Sequence, residues 1–348
     1  MGTLRGAFLM LALTVGGLDA QTCTTQAKMT AAVRSSLSEV ADELARSVQA
    51  DDVAQVQSRM IAEFASGSAF APTATLVQRT SSRVQGDELE VTQIFELDSS
   101  AVGSKQGSVT NFSCPLVGTT SEVDFAIPDL PSGVYGFAMV EAKGAVPWLL
   151  SFLVRQDAGQ WELAGFYPRA RLADGHDGLW YWKAARDYAN ADELWLAWLF
   201  YGEADRLLRP ANFVTTTNLD RLRSEQWSAA PPELINGVSP THPLVLTSSG
   251  DQGAATVYRF SGLAAEGSED GKNLNLILYL IGEDLSNSAA AEEHSKAAAR
   301  AMIDAHIELR QAFHSVWVFT VPPGSAAADG SETGAQPVVT EQLVSSIP

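Results

Sequence analysis

The chain is poor in cysteine and histidine, has no basic cluster, and holds no apolar run long enough to cross a bilayer. Each scarcity removes a class of function. The only cysteines, Cys23 and Cys114, form no C-x-x-C pair, and the five histidines include no H-E-x-x-H. The usual zinc and thiol-redox signatures are thereby excluded, and no metal or cofactor is expected. There is no G-x-S-x-G elbow and no dinucleotide-binding glycine fingerprint, so no catalytic residue is nominated. "GSEDGKN" at 267–273 lacks the Ser or Thr that a phosphate loop carries after its Lys, and its Glu269 and Asp270 would repel phosphate; it reads as a polar turn. The net charge of −18 repels nucleic-acid backbones and anionic membrane surfaces.

What remains is a chain of 348 residues, 46% apolar and 18% charged, enough for folded cores in two or three domains. Arg5 followed by the apolar stretch from Ala7 to Leu18, with Ala20 as a cleavage residue, has the form of a secretory signal peptide over 1–20. The stretch is about a dozen residues, against the roughly 17–25 a spanning helix needs, so no transmembrane segment is expected. Cleavage would remove one charge of each sign, Arg5 and Asp19, and leave the net charge at −18. The expected location is outside the cytoplasm, periplasmic or extracellular. There Cys23 and Cys114 can form a disulfide; the alternative is a lipid anchor on Cys23, although Thr22 departs from the small residue a bacterial lipobox prefers.

Residues 24–66 carry helical periodicity: Val33, Leu37, Val40 and Leu44 share one face, and a second helix follows a break near Asp51, the expected cap. From Ala74 to Pro168 the pattern is that of strands, closing on a hairpin, "PWLLSFLVRQDAGQWELAGFYPR", with its tip at Asp157-Ala158-Gly159. The run "PWLLSFLV" points to a sheet covered on one face or both. Helices, then a meander ending in "GQWELAGFYP", over about 27–168, resemble the NTF2-like, cystatin-like cone fold. The resemblance implies a curved antiparallel sheet around helices and a conical pocket, used by some members for isomerase or dehydratase chemistry and by many only for binding. An enzyme of that kind would need an inward acid or base; Asp124, Glu141 and Glu162 are strand residues whose face depends on register.

Residues 178–210 read as two helices. Asp177 caps the first, Asn190 with Glu193 forms a capping box for the second, and Pro210 stops it. Tyr181, Tyr188, Ala197, Tyr201 and Ala204 give a spacing that resembles one tetratricopeptide repeat. It occurs once, and a lone repeat cannot bury its own faces, so a peptide groove is not implied. The second helix is apolar nearly all round its first two turns, which predicts that Trp198 and Tyr201 are inaccessible to solvent. The competing reading is a groove lined by Trp180, Trp182 and Trp195. In "ADGHDG", Asp174, His176 and Asp177 are the one compact polar cluster; a turn and a helix cap account for it, with a metal or acid–base role as the sharper alternative. His306 falls on an apolar stripe, and His294 in a solvated helix start.

The organisation expected is an α+β protein: a signal peptide at 1–20, an NTF2-like domain with helices packed on a curved antiparallel sheet at 21–170, a helical-hairpin bridge at 171–228, a proline-rich linker at 229–243, a small α+β domain at 244–322 and a flexible tail at 323–348. Such an arrangement resembles secreted bacterial proteins. The expected role is non-catalytic binding or assembly in the bacterial envelope, with an unidentified protein or small-molecule partner. The alternatives are an isomerase- or hydrolase-like enzyme using the cone pocket, and a peptide adaptor using the aromatic hairpin.

Overall fold

The computed structural model describes residues 21–101, 107–249, 255–282, 288–322 and 337–347. The expected signal peptide and residues 323–336 of the expected tail lie outside the described residues. The class is α+β, as the sequence indicates.

The chain enters as a short strand, β1 (Thr22–Thr25), then forms α1 (Ala31–Gln49). Thr30 caps α1 by accepting from the Val33 amide at 3.3 Å, and Leu37, Val40 and Leu44 are buried along the predicted face. α2 (Val53–Ser58) is shorter than expected and is capped by Asp52, because Asp51 takes a left-handed turn with φ 56°. α3 (Gly67–Val84) stands where strands were expected to begin at Ala74. Its Ser-, Thr- and Val-rich sequence has weak helix propensity, but Phe70, Val77, Thr80, Ser81 and Val84 recur on one face and are buried there.

The strands β2 (Glu88–Asp98), β3 (Val109–Pro115), β4 (Glu122–Pro128), β5 (Val134–Lys143), β6 (Trp148–Asp157) and β7 (Gln160–Ala170) follow. Five form an antiparallel sheet in the order β1-β2-β5-β6-β7. Strands β3 and β4 leave it for a second sheet. The first sheet is a middle layer: Leu150, Phe152 and Val154 of β6 pack with α1 and α3, while Leu153 packs with Phe112, Phe125 and Ile127 of the second sheet. Burial on both faces is why β6 reads as a continuous apolar run. A disulfide joins Cys23 of β1 to Cys114 of β3 across these layers, with Cα atoms 5.3 Å apart. The Cys23 sulfur is therefore committed to Cys114, which corrects the lipid-anchor alternative.

A two-residue pair, β8 (Leu172–Ala173) and β9 (His176–Asp177), leads into α4 (Gly178–Asn190) and α5 (Leu194–Leu208). The expected capping box is not formed: Asn190 is the last residue of α4, Asp192 is left-handed at φ 63°, and Glu193 stands at the cap of α5 without a side-chain bond. β10 (Val214–Thr216) then adds to β4, giving the second sheet its order β10-β4-β3, and α6 (Thr217–Ser228) follows. The last unit comprises β11 (Leu244–Ser249), β12 (Ala255–Gly267), β13 (Leu274–Ile281), α7 (Ser288–Ala305), β14 (Ser315–Val321) and β15 (Val338–Leu343). Its sheet runs β11-β12-β13-β14-β15. Only β13 and β14 are parallel, and α7 makes the crossover that parallel pairing requires.

The hairpin shares a core with the last unit: Trp195, Leu196, Leu199 and Phe200 pack with Phe260, Leu276 and Leu278 of the last sheet, and Leu234 of the proline-rich segment is wholly buried in that core. The tail is not free over its described part, since residues 338–343 form β15 on the edge of β14 and Val344 and Ile347 are buried.

Candidate functional site

The N-terminal layers and the C-terminal unit meet along a cleft of about 190 Å³ that concentrates arginine in a strongly acidic protein. Arg79 and Arg83 come from α3, one turn apart, so both project from one helical face. Arg169 comes from the end of β7 and Arg206 from the last turn of α5, where the helix dipole favours a cation. The opposing carboxylates are Glu266 at the end of β12 and Glu269 on the turn after it.

The cations differ in how fully they are paired. Arg206 forks onto Glu203 through Nε and Nη2, both at 2.6 Å, and the Gly267 amide donates to the same carboxylate at 3.2 Å. Glu203 has no exposed surface; burial pushes its carboxyl up, against the pull of Arg206 and the amide. Glu269 accepts from both Arg79 and Arg83, and the two guanidinium groups, Arg79 foremost, hold it below the usual carboxylate range. Arg169 donates to Asn212 Oδ1 at 2.6 Å and has no carboxylate in ion-pair range among the described residues. Burial lowers its pKa and Arg206 lowers it further, while Glu266 opposes the shift. Beside it Arg209 is pushed down to about 10 by burial and then by Arg223 and Arg169. Arg209 is paired with Asp205 outside the cleft; the four arginines of the cleft face three carboxylates, Glu203, Glu266 and Glu269, so one positive charge is left over in a partly desolvated place where an added anion would be favoured.

The turn after β12 fits closely. A side chain at Gly267 would meet Ala173 Cβ at 2.5 Å, and one at Gly271, whose φ is 68°, would meet Val146 Cγ1 at 2.9 Å. The Gly175 amide donates to Gly271 O at 2.9 Å, so the "ADGHDG" segment abuts the cleft without supplying its charge.

That segment is structural in its details. Asp174 and Gly175, with φ 46° and 71°, form the tight turn between β8 and β9, and Asp177 caps α4 by accepting from the Trp180 amide at 2.8 Å. His176 stacks on Trp180, ring centroids 3.7 Å apart. No group of three metal-binding side chains occurs among the described residues. The three tryptophans of the groove reading are not brought together. Trp180 is 41% exposed; Trp182 donates to Glu225 of α6 at 2.8 Å with Arg186 over its ring; Trp195 is 6% exposed beneath His306. Tyr201 is buried as predicted. Trp198 is only half-buried, its edge against the exposed Trp227, which corrects the expectation for that residue.

The cone carboxylates are placed too. Val140, Ala142 and Leu163 face the helices, so by strand alternation Glu141 and Glu162 lie on the other face, and Asp124 belongs to the second sheet. A more apolar cavity of about 210 Å³ lies between Phe64, Ile127, Leu130, Tyr135 and Tyr167, and its one cation, Arg155, is already forked onto Glu63. Sequence reasoning did not single out Arg79, Arg83, Arg169 or Glu203, and it met Glu269 only as a charge that would repel phosphate in a polar turn. The one local signal was the four-residue spacing of Arg79 and Arg83, meaningful only once α3 is read as a helix. No protein-family model, curated protein or solved structure matches this chain.

Proposed function

We propose that this is an exported, non-catalytic binding protein of the bacterial envelope whose arginine cleft receives the anionic group of a small molecule. The observation that carries the reading is Arg169: a half-buried guanidinium lining a cavity, repelled by Arg206, with an amide oxygen but no carboxylate as partner. Guanidinium is the side chain best suited to grip a carboxylate or phosphate through paired hydrogen bonds. Export is supported by the Cys23–Cys114 disulfide, and no helix among the described residues is long and apolar enough to cross a membrane. The NTF2-like reading of the N-terminal unit draws support from α1 and α3 lying on one face of its sheet. That face is mostly filled by Leu37, Leu44, Phe152 and Phe166; the carboxylate that strand alternation sets on it is Glu96 of β2, beside Ile94, and burial pushes its pKa up.

The test is titration of the protein with acetate and succinate at low salt, followed by calorimetry and by amide shifts. Saturable shifts are expected at Arg79, Arg83, Arg169 and Ala170, and Arg169→Ala should weaken binding by about tenfold or more. Absence of shifts in the native protein, or shifts untouched by Arg169→Ala, would falsify the assignment.

A further inference from the structure

Glu269 does inside the molecule what a ligand carboxylate would do. Its carboxylate is shared by Arg79 and Arg83, yet its side chain is 48% exposed and belongs to a turn rather than to a regular element. The turn does not need Glu269 for its shape. Ser268 N donates to Asn273 O at 2.8 Å, Ser268 Oγ to Asp270 Oδ1 at 2.6 Å, and Asn273 N to Ser268 Oγ at 3.0 Å. Exposed ion pairs of this kind contribute little to stability, so Glu269 can be exchanged for another anion at small cost.

The cleft therefore holds two sets of cations in different states. Arg79 and Arg83 of α3 are occupied by Glu269. Arg169, at the end of β7, has no carboxylate in ion-pair range, with Arg206 repelling it and Glu266 attracting it from farther off. The volume of about 190 Å³, slightly larger than the roughly 150 Å³ that holds a benzene ring, suits a compact molecule. A single anionic group satisfies only Arg169. A second one on the same small molecule can take the place of Glu269.

We propose that the cleft selects compact dicarboxylates, one carboxylate on Arg169 and the other on Arg79 and Arg83, with Glu269 as a built-in competitor. The inference rests on the reading of the cleft as an anion site. It requires that removing the competitor strengthen binding, whereas a mere clasp between the two units would give no gain.

Succinate, propionate and inorganic phosphate are titrated into the wild-type chain and into Glu269→Gln. Succinate should bind more tightly than propionate or phosphate, and Glu269→Gln should tighten succinate by about tenfold. In the wild-type chain, succinate should also move the Glu269 carboxyl, followed by its ¹³C signal, back toward ordinary carboxylate titration. Succinate binding that is unchanged or weakened by Glu269→Gln, or a Glu269 titration indifferent to succinate, overturns the competitor role. Propionate or phosphate binding as tightly as succinate overturns the dicarboxylate selection and leaves the anion site standing. If none of the three binds either protein, the anion site fails with it.

Discussion

Glu203 has no exposed surface, and its only cationic partner within 3 Å is Arg206, at 2.6 Å. Desolvating such a pair costs several kcal/mol per ion, and only good geometry offsets it. Removing Glu203 leaves Arg206 only the longer pair with Glu266, at 3.9 Å, and removing Arg206 leaves Glu203 buried without a cation within 3 Å. Glu203→Gln should therefore lower the unfolding free energy by about 3–5 kcal/mol, while Glu203→Leu with Arg206→Leu should lose far less. Urea denaturation of the two variants measures this, and a single-variant loss below about 1 kcal/mol would mean that water reaches the pair. The pair also positions the cleft, since Glu203 holds both Arg206 and the amide of Gly267 at the start of the turn that carries Glu269.

At the scale of elements, α5 is held from both ends of the chain's C-terminal half. Trp195 lies under the His306 ring, centroids 3.9 Å apart, and His306 Nε2 is buried without a partner. Burial lowers the pKa of His306; Glu308, with a carboxylate oxygen 3.8 Å from Nδ1, and Glu233 oppose the shift. The unfolded chain binds this proton more readily than the folded one, so stability is full above the ordinary histidine value near 6.5 and falls as pH drops below it. Thermal melts between about pH 7.5 and pH 5 should show that decline, and His306→Phe, which keeps the stack on Trp195, should flatten it. An equal slope in His306→Phe would assign the decline to other groups. The clasp of α4 to α6 titrates elsewhere: Glu225 is held down to about 2 by Arg186, then by Trp182 and Arg221, so its contribution is present above the ordinary carboxylate range and is lost only as pH falls toward 2.

At the scale of the whole molecule, the disulfide links the edge of the first sheet to the second sheet across a sequence separation of 91 residues. Closing a loop of that length restricts the unfolded chain, and removing such a bond costs about 2–5 kcal/mol. Cys23→Ser with Cys114→Ser should lower the melting temperature accordingly. Cys114 is wholly buried while Cys23 is half-buried, so reductant should reach the bond from the Cys23 side. Rapid reduction with no change in melting temperature would show that the bond adds nothing to the fold.

The sequence alone determined what depends on neighbours in the chain. With two cysteines only one internal pairing exists, and it forms. The face of α1, the cap and boundaries of α4 and the hairpin of β6 and β7 follow from spacing, because local periodicity and capping chemistry act over a few residues. Tertiary structure decided the rest. It made α3 a helix against its propensity by burying Phe70, Val77 and Val84, and it drew residues 338–343 onto β14 as a strand. It left Trp198 half-buried, packed against the core on one side and the exposed Trp227 on the other. Above all it assembled the cleft. Arg79, Arg83, Arg169, Arg206 and Glu269 come from three elements and a turn spread over 190 residues, and beyond the helical spacing of Arg79 and Arg83 no periodicity relates them. Their charges interact only because packing brings two separately cored units together around one small, partly dry space.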